Sequence, residues 1–293
     1  MGKLDYFIQS AARRFDRRRL ICPNCGSKNS NRLERKVFVT ELHRCHECLL
    51  MFRIPTDDPF ESESFYNGKY SEGFTTDLPS DVELKSLLSS GFAGLEKDYS
   101  KYIAIIRALG GSGGSKLLDF GCSWGYGSYQ FAKAGFDTLS YEISRTRREY
   151  GVLNLGINAL DDFDSWAYSV AAQGSIDIFF SAHVLEHVPS PIKIINLARR
   201  VLRPSGLFIA FFPNGSAAGR AANSNWNQLW GKVHPNLLDD IFFNSALFDF
   251  PRVFGSTPYN LPSSAMDLLL SKKPYVQYMD SLRGDEIVVA TRF

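Results

Sequence analysis

Lys116-Leu117-Leu118-Asp119-Phe120-Gly121-Cys122-Ser123-Trp124-Gly125-Tyr126-Gly127 is the stretch on which the reading of this chain turns. Its apolar first half has the length and composition of a buried strand. Its glycines, Gly121, Gly125 and Gly127, let the backbone turn sharply and approach a ligand with no Cβ in the way. Ser128 to Ala134 then starts a helix. Spacing excludes two phosphate sites. A dinucleotide fingerprint needs glycine at the first, third and sixth positions, whereas counting from Gly121 the third is Ser123 and the sixth is Tyr126. A phosphate loop needs Gly-Lys-Ser/Thr to close the turn, and none follows. What fits is a ligand with a nucleoside and no phosphate.

Asp119-x-Gly121-Cys122-x-x-Gly125 resembles the first motif of class I S-adenosylmethionine-dependent methyltransferases. The resemblance implies that Gly121, Cys122 and Gly125 pack under the amino-acid part of the cofactor and that Asp119, at the strand end, helps hold it. One glycine usual in that motif is Ser123 here, and Trp124 is bulky. Asp137-Thr138-Leu139-Ser140-Tyr141-Glu142 reads as the next strand and ends in an acid 21 residues after Gly121. A carboxylate at a strand tip can accept hydrogen bonds from both ribose hydroxyls, which makes Glu142 the ribose candidate. Asp161 or Asp162 occupies the place where the family contacts adenine. Ser175 to Val188 gives a further apolar strand that runs into a polar cluster. In the family this backbone passes the cofactor, which brings in Ser181, and the substrate pocket begins there.

Methyl transfer is an in-line displacement at a sulfonium, so an enzyme supplies alignment and, for a hydroxyl acceptor, a base or a metal. His183, Glu186 and His187 follow the strand that should end beside the methyl group, and His234 lies in a later segment where the family builds its substrate pocket. Two readings compete. In one, a histidine, His183 or His234, is a general base of near-neutral pKa. In the other, the cluster resembles the Glu-x-x-Glu-His and distant His of ubiquinone-pathway and small-RNA-end methyltransferases, which hold a divalent metal; the first acid would be His183 here. A third, purely structural reading makes Glu186 and His187 a helix cap. The strand end reads Ser181-Ala182-His183 and lacks the Asp/Asn-Pro-Pro-Tyr/Phe signature of exocyclic-amine methyltransferases, which disfavours amine targets.

Cys22-Pro23-Asn24-Cys25 and Cys45-His46-Glu47-Cys48 form two Cys-x-x-Cys pairs separated by 19 residues. Two knuckles placing four thiolates round one ion is the structural zinc arrangement, and a site with four protein ligands has no open position for catalysis. The fifth cysteine, Cys122, sits in the glycine turn, so no even set exists for a disulfide framework. After the ribbon come Leu49 to Pro55 and then Phe65-Tyr66-Asn67-Gly68-Lys69-Tyr70. This succession resembles methyltransferases of bacterial polysaccharide and modified-sugar pathways, in which the tyrosine segment folds over the cofactor; Tyr66 and Tyr70 are the candidates.

The expected fold is α/β: a Rossmann-like, seven-stranded, mostly parallel sheet with an N-terminal zinc ribbon and a last strand inserted antiparallel. The expected divisions are a basic segment 1–20, the ribbon 21–54, a linker and cofactor-covering segment 55–95, and a methyltransferase domain 96–293. A helix is expected from Glu96 to Leu109, with Gly110 to Ser115 as a flexible hinge. Net charge of +2 hides a head of about +7 over residues 1–53 and a body of about −5, with five arginines between Arg13 and Arg19. No apolar run approaches the ~20 residues of a membrane helix, and the first residues show no signal-peptide pattern, so the expected location is cytoplasmic. The leading expectation is S-adenosylmethionine-dependent methylation of a small hydroxylated substrate such as a sugar, nucleotide sugar or glycan, with structural zinc and, at the histidines, either a general base or a second divalent metal. Two rivals remain: an RNA methyltransferase whose basic head grips phosphates, and a non-catalytic ribbon module on a degenerate fold.

Overall fold

A computed structural model describes residues 3–36, 38–57, 77–260, 264–271 and 273–293. Among these, the strands form two sheets. The larger contains β4 (Lys116–Phe120), β5 (Asp137–Tyr141), β6 (Ala159–Leu160), β7 (Ile176–Ala182), β8 (Leu202–Pro213), β10 (Arg252–Ser256), β11 (Val276–Tyr278) and β12 (Glu286–Arg292). Their order is β11-β10-β12-β8-β7-β4-β5-β6. β12 runs antiparallel between β10 and β8, and the remaining pairings are parallel.

The sheet thus has eight strands where the sequence suggested seven. The addition is β11, three residues at the edge beside β10. Val276-Gln277-Tyr278 carries no apolar run of its own, and its pairing comes from tertiary contact. The antiparallel insertion of the last strand agrees with expectation.

Alternation along the central strands divides the interior into two cores, since successive side chains of a strand point to opposite faces. Phe179, Phe208, Ala210, Phe212, Ile287 and Val289 enter one core. Ile178, Phe180, Leu207, Ile209, Phe211 and Val288 enter the other. Burial on both faces is why these strands read as continuous apolar runs. The helices are α1 (Lys3–Arg13), α2 (Asp81–Ser90), α3 (Ser100–Ala108), α4 (Tyr126–Lys133), α5 (Arg145–Leu155), α6 (Phe163–Tyr168), α7 (Pro191–Val201), α8 (Ala217–Ala222), α9 (Asp240–Ala246) and α10 (Ser264–Leu269).

α3 begins four residues after the expected Glu96. The Asp98 carboxylate accepts the N–H groups of Gly94 (3.0 Å) and Ser100 (2.8 Å), which closes a turn ahead of the helix. Tyr102, Ile105 and Ile106 cover the sheet while Leu95 is exposed. The expected hinge at Gly110 to Ser115 is a bonded turn: Gly111 N–H donates to Ile106 and Gly114 N–H to Gly135. A Cβ on Gly111 would lie 2.5 Å from the Ile106 side chain, so this glycine serves close packing.

The smaller sheet has the order β1-β2-β3-β9, from β1 (Ser30–Lys36), β2 (Thr40–Cys45), β3 (Met51–Ile54) and β9 (Asn236–Leu237). Its last strand comes from the far part of the chain, after β8. Met51 pairs with Leu237 and Phe52 with Asn236, so the cysteine-bearing head and the αβ body share a sheet.

Candidate functional site

The turn after β4 is built as its glycines suggest. Gly121 and Gly125 have φ of +85° and +87°, a region closed to most side chains. A Cβ on Gly121 would sit 2.2 Å from Val184. Gly121 and Cys122 both donate their N–H to the Tyr141 carbonyl, drawing the turn against β5. Ser123, standing where the motif usually has glycine, keeps a left-handed φ of +53°. Trp124 is buried against Phe92, Tyr126 and Tyr150.

Asp119 lies beneath this turn. Its carboxylate accepts the Ser128 hydroxyl at 2.6 Å, Ser140 donates to Ser128 at 2.8 Å, and burial pushes its pKa up to about 7. Glu142 accepts Ser123 N–H (3.0 Å) on one oxygen and Ser144 N–H (2.9 Å) on the other, with burial raising its pKa. Each oxygen retains a lone pair for a ribose hydroxyl. Ser181, at the end of β7, is fully buried. Ser123 Oγ, Trp124 Nε1 and Ser181 Oγ have no hydrogen-bond partner among the described residues. Orphaned polar atoms at the strand ends, together with positive-φ glycines and the Glu142 carboxylate, fit a nucleoside-bearing ligand such as S-adenosylmethionine.

Asp161 is not gathered into this group. Its side chain is 96% exposed and meets Arg148 at 3.3 Å, while neighbouring Asp162 caps α6 through Ser165 N–H. Tyr66 and Tyr70 lie outside the described residues.

Past β7 the chain brings Glu186, His187 and His234 together, their ligand atoms within 4.8 Å of one another. The His187 and His234 rings are 4.7 Å apart. His187 donates Nδ1–H to the Val233 carbonyl (2.8 Å) and His234 donates Nδ1–H to the Leu229 carbonyl (3.1 Å). These bonds select the tautomer with the lone pair on Nε2, as metal-bound histidines are commonly oriented. The Glu186 carboxylate is buried with no hydrogen bond to either oxygen among the described residues. Burial and the neighbouring His234 hold His187 down at about 4, so its imidazole is neutral at pH 7. A buried carboxylate without a hydrogen bond, beside the neutral His187 imidazole, fits a divalent cation.

His183 lies beside Glu186 but outside the trio. Its Nε2 pairs with Glu286 of β12, and its Nδ1 is 3.6 Å from Glu186, an ionic contact longer than a hydrogen bond. Glu286 also accepts Lys101 (3.0 Å), Tyr102 (2.8 Å) and Tyr259 (2.6 Å). Against the opposing effect of burial, the two facing carboxylates raise His183 to about 10. These two carboxylates favour an imidazolium at His183 over the near-neutral base expected there. The sequence reading missed Glu286, because the antiparallel insertion of β12 alone brings it here.

In the head, the Cys22, Cys25, Cys45 and Cys48 sulfurs lie within 4.8 Å of one another, and the Cys22–Cys48 and Cys25–Cys45 separations are 3.5 Å. Four sulfurs round a tetrahedral zinc would be about 3.8 Å apart, so the set fits that ion. The basic run beside it is largely engaged within the chain. Arg13 pairs with Asp57, Arg14 with Glu41 and Arg18 with Asp16, while Arg19 donates to the Thr56 carbonyl.

Residues 95–244 match the methyltransferase domain family. The ubiquinone biosynthesis O-methyltransferase of Cereibacter sphaeroides is 28% identical over 151 residues, covering 50% of this chain and 61% of that protein. That of Ralstonia nicotianae is 30% identical over 98 residues, covering 32% and 41%. The chain thus spans less than two thirds of these relatives' length. Among solved structures, the plantazolicin methyltransferase BpumL in complex with SAH superposes with a TM-score of 0.50 at 13% identity, covering 79% of this chain and 95% of that one, a likeness of fold.

Proposed function

This chain belongs to the methyltransferase domain family, and from that premise we propose that it transfers a methyl group from S-adenosylmethionine to a hydroxyl of a small molecule at a divalent-cation centre formed by Glu186, His187 and His234. The observation that carries the reading is the geometry of those three residues. Both histidines are tied through Nδ1–H to carbonyl groups, and the carboxylate beside them is buried without a hydrogen bond among the described residues.

Bound S-adenosylmethionine would supply an electrophilic methyl on its sulfonium, and a cation held by the trio would lower the pKa of an acceptor hydroxyl. The chain's own residues do the rest. Gly121 and Gly125 let the backbone pass close under the cofactor, and Glu142 holds the turn by two N–H bonds while keeping lone pairs for a ribose. His183, pinned by Glu286, places a fixed positive charge at the end of β7 without the capacity to accept a proton at neutral pH. Cys22, Cys25, Cys45 and Cys48 would hold zinc as a structural ion.

The sugar or glycan expectation rests on the order of ribbon and tyrosines together with the histidine cluster, and the tyrosines lie outside the described residues. The named relatives are O-methyltransferases of ubiquinone biosynthesis, so the acceptor is proposed at the level both share, a hydroxyl. RNA is the second acceptor class, and the engagement of Arg13, Arg14, Arg18 and Arg19 within the chain argues against a phosphate grip there.

The test is incubation with methyl-labelled S-adenosylmethionine and cell extract separated into small-molecule, glycan and RNA pools, after chelation and again with added magnesium or manganese. Label in a small-molecule or glycan pool that returns with the cation is the expected result. Cation-independent label, or label confined to RNA, would refute the proposal.

A further inference from the structure

The four-cysteine ribbon touches both chain segments that carry the Glu186, His187 and His234 trio. One contact is Asn24, between Cys22 and Cys25. Its Oδ1 accepts Ile192 N–H at 3.0 Å and the Ser190 hydroxyl at 3.1 Å. Ser190 is the N-cap residue of α7 but makes no side-chain cap bond of its own, so the ribbon supplies the acceptor that the helix start lacks. Ser190 lies three residues after His187.

The other contact is β3. Its Phe52 pairs with Asn236, and Asn236 in turn donates its backbone N–H to the Glu186 carbonyl (3.2 Å) and Nδ2 to the Val188 carbonyl (2.6 Å), on either side of His187. Arg53 N–H donates to the Pro235 carbonyl at 2.7 Å, next to His234. Arg44, adjacent to Cys45, grips the buried Asp239 with two hydrogen bonds (3.1 and 2.6 Å).

We infer that zinc in the ribbon fixes the relative position of Glu186, His187 and His234, with Asn24 and Asn236 as the positioning residues that connect the two centres. The four cysteines take no part in the reaction; their ion keeps the knuckle and β3 in place, and these hold the two ligand-bearing segments against each other. The inference rests on the reading of the trio as a cation centre, and its test is read independently of that reading.

The experiment is amide hydrogen exchange on the full chain, zinc-loaded and zinc-stripped, with Leu118 and Leu139 in β4 and β5 as internal references. Zinc removal is expected to speed exchange at Ile192 and Asn236 at least tenfold and to leave the references slow. Unchanged rates at Ile192 and Asn236 would overturn the inference. Should stripping unfold the whole chain, Asn24→Ala, which keeps all four cysteines, decides: zinc content retained with Ile192 exchange accelerated supports the coupling, and unchanged exchange refutes it. A parallel titration with manganese should show affinity weaker in Asn24→Ala by roughly tenfold, the lower end of the scale for loss of a direct partner of a metal ligand. Wild-type protein that binds no manganese would refute the cation reading, and the exchange result would still decide the coupling.

Discussion

Asp119 is a buried carboxylate that accepts a hydrogen bond from a buried serine hydroxyl. The motif placed the acid at the end of β4, and the structure turns it beneath the glycine turn onto Ser128 and Ser140, where burial raises its pKa from 3.8 to about 7. The neutral form is thus favoured in the fold. Its contribution to stability is fully present below pH 3.8 and lost as pH rises through 7. Asp119→Asn keeps an acceptor for Ser128 and cannot ionise. The wild type is expected to lose stability relative to this variant between pH 4 and 8, by at most ~4 kcal/mol for a shift from 3.8 to about 7. Urea midpoints across that range check it, and parallel profiles would contradict it. The glycine turn, the cysteine knuckles and Glu142 were legible because each is set by spacing within a short stretch. Glu286 was not, because it is 103 residues from His183 in sequence and reaches it only through the insertion of β12.

Among the elements, β9 matters beyond its two residues because it lets the body add a strand to the ribbon's sheet. No pattern in Asn236-Leu237 announces a strand, and its pairing depends on where the preceding loop delivers it. The Arg44–Asp239 pair secures the same junction. Asp239 is fully buried and also caps α9 through Phe242 N–H at 2.9 Å, so its charge is balanced by one guanidinium and one helix N-terminus. Arg44→Leu should cost about 3–5 kcal/mol, because it leaves a buried carboxylate without its cation. Adding Asp239→Ser removes that charge but keeps a capping hydroxyl, and should recover a large part of the loss. Denaturant unfolding of the single and double variants measures this; a double variant as unstable as the single would show that the junction depends on shape rather than charge. The start of α3 and the edge strand β11 were missed for a related reason: a side-chain cap at Asp98 and a tertiary pairing to β10 decide them.

At the scale of the molecule, the division between a basic head and an acidic body is a division of sequence more than of structure. The head's cysteine knuckle caps α7, its β3 extends onto β9, and Arg14 and Arg18 close ion pairs with its own carboxylates. What the sequence presented as three motifs, the glycine turn, the histidine cluster and the ribbon, is a chain in which the third braces the second beside the first. The proposed cation centre of Glu186, His187 and His234 is the hinge of this arrangement. Calorimetric titration of manganese into zinc-loaded wild type and Glu186→Gln tests it. One manganese site per chain is expected in the wild type, and its loss, or a weakening of at least a hundredfold, in the variant with ribbon zinc retained. Equal binding by both proteins, or none by the wild type, would contradict it.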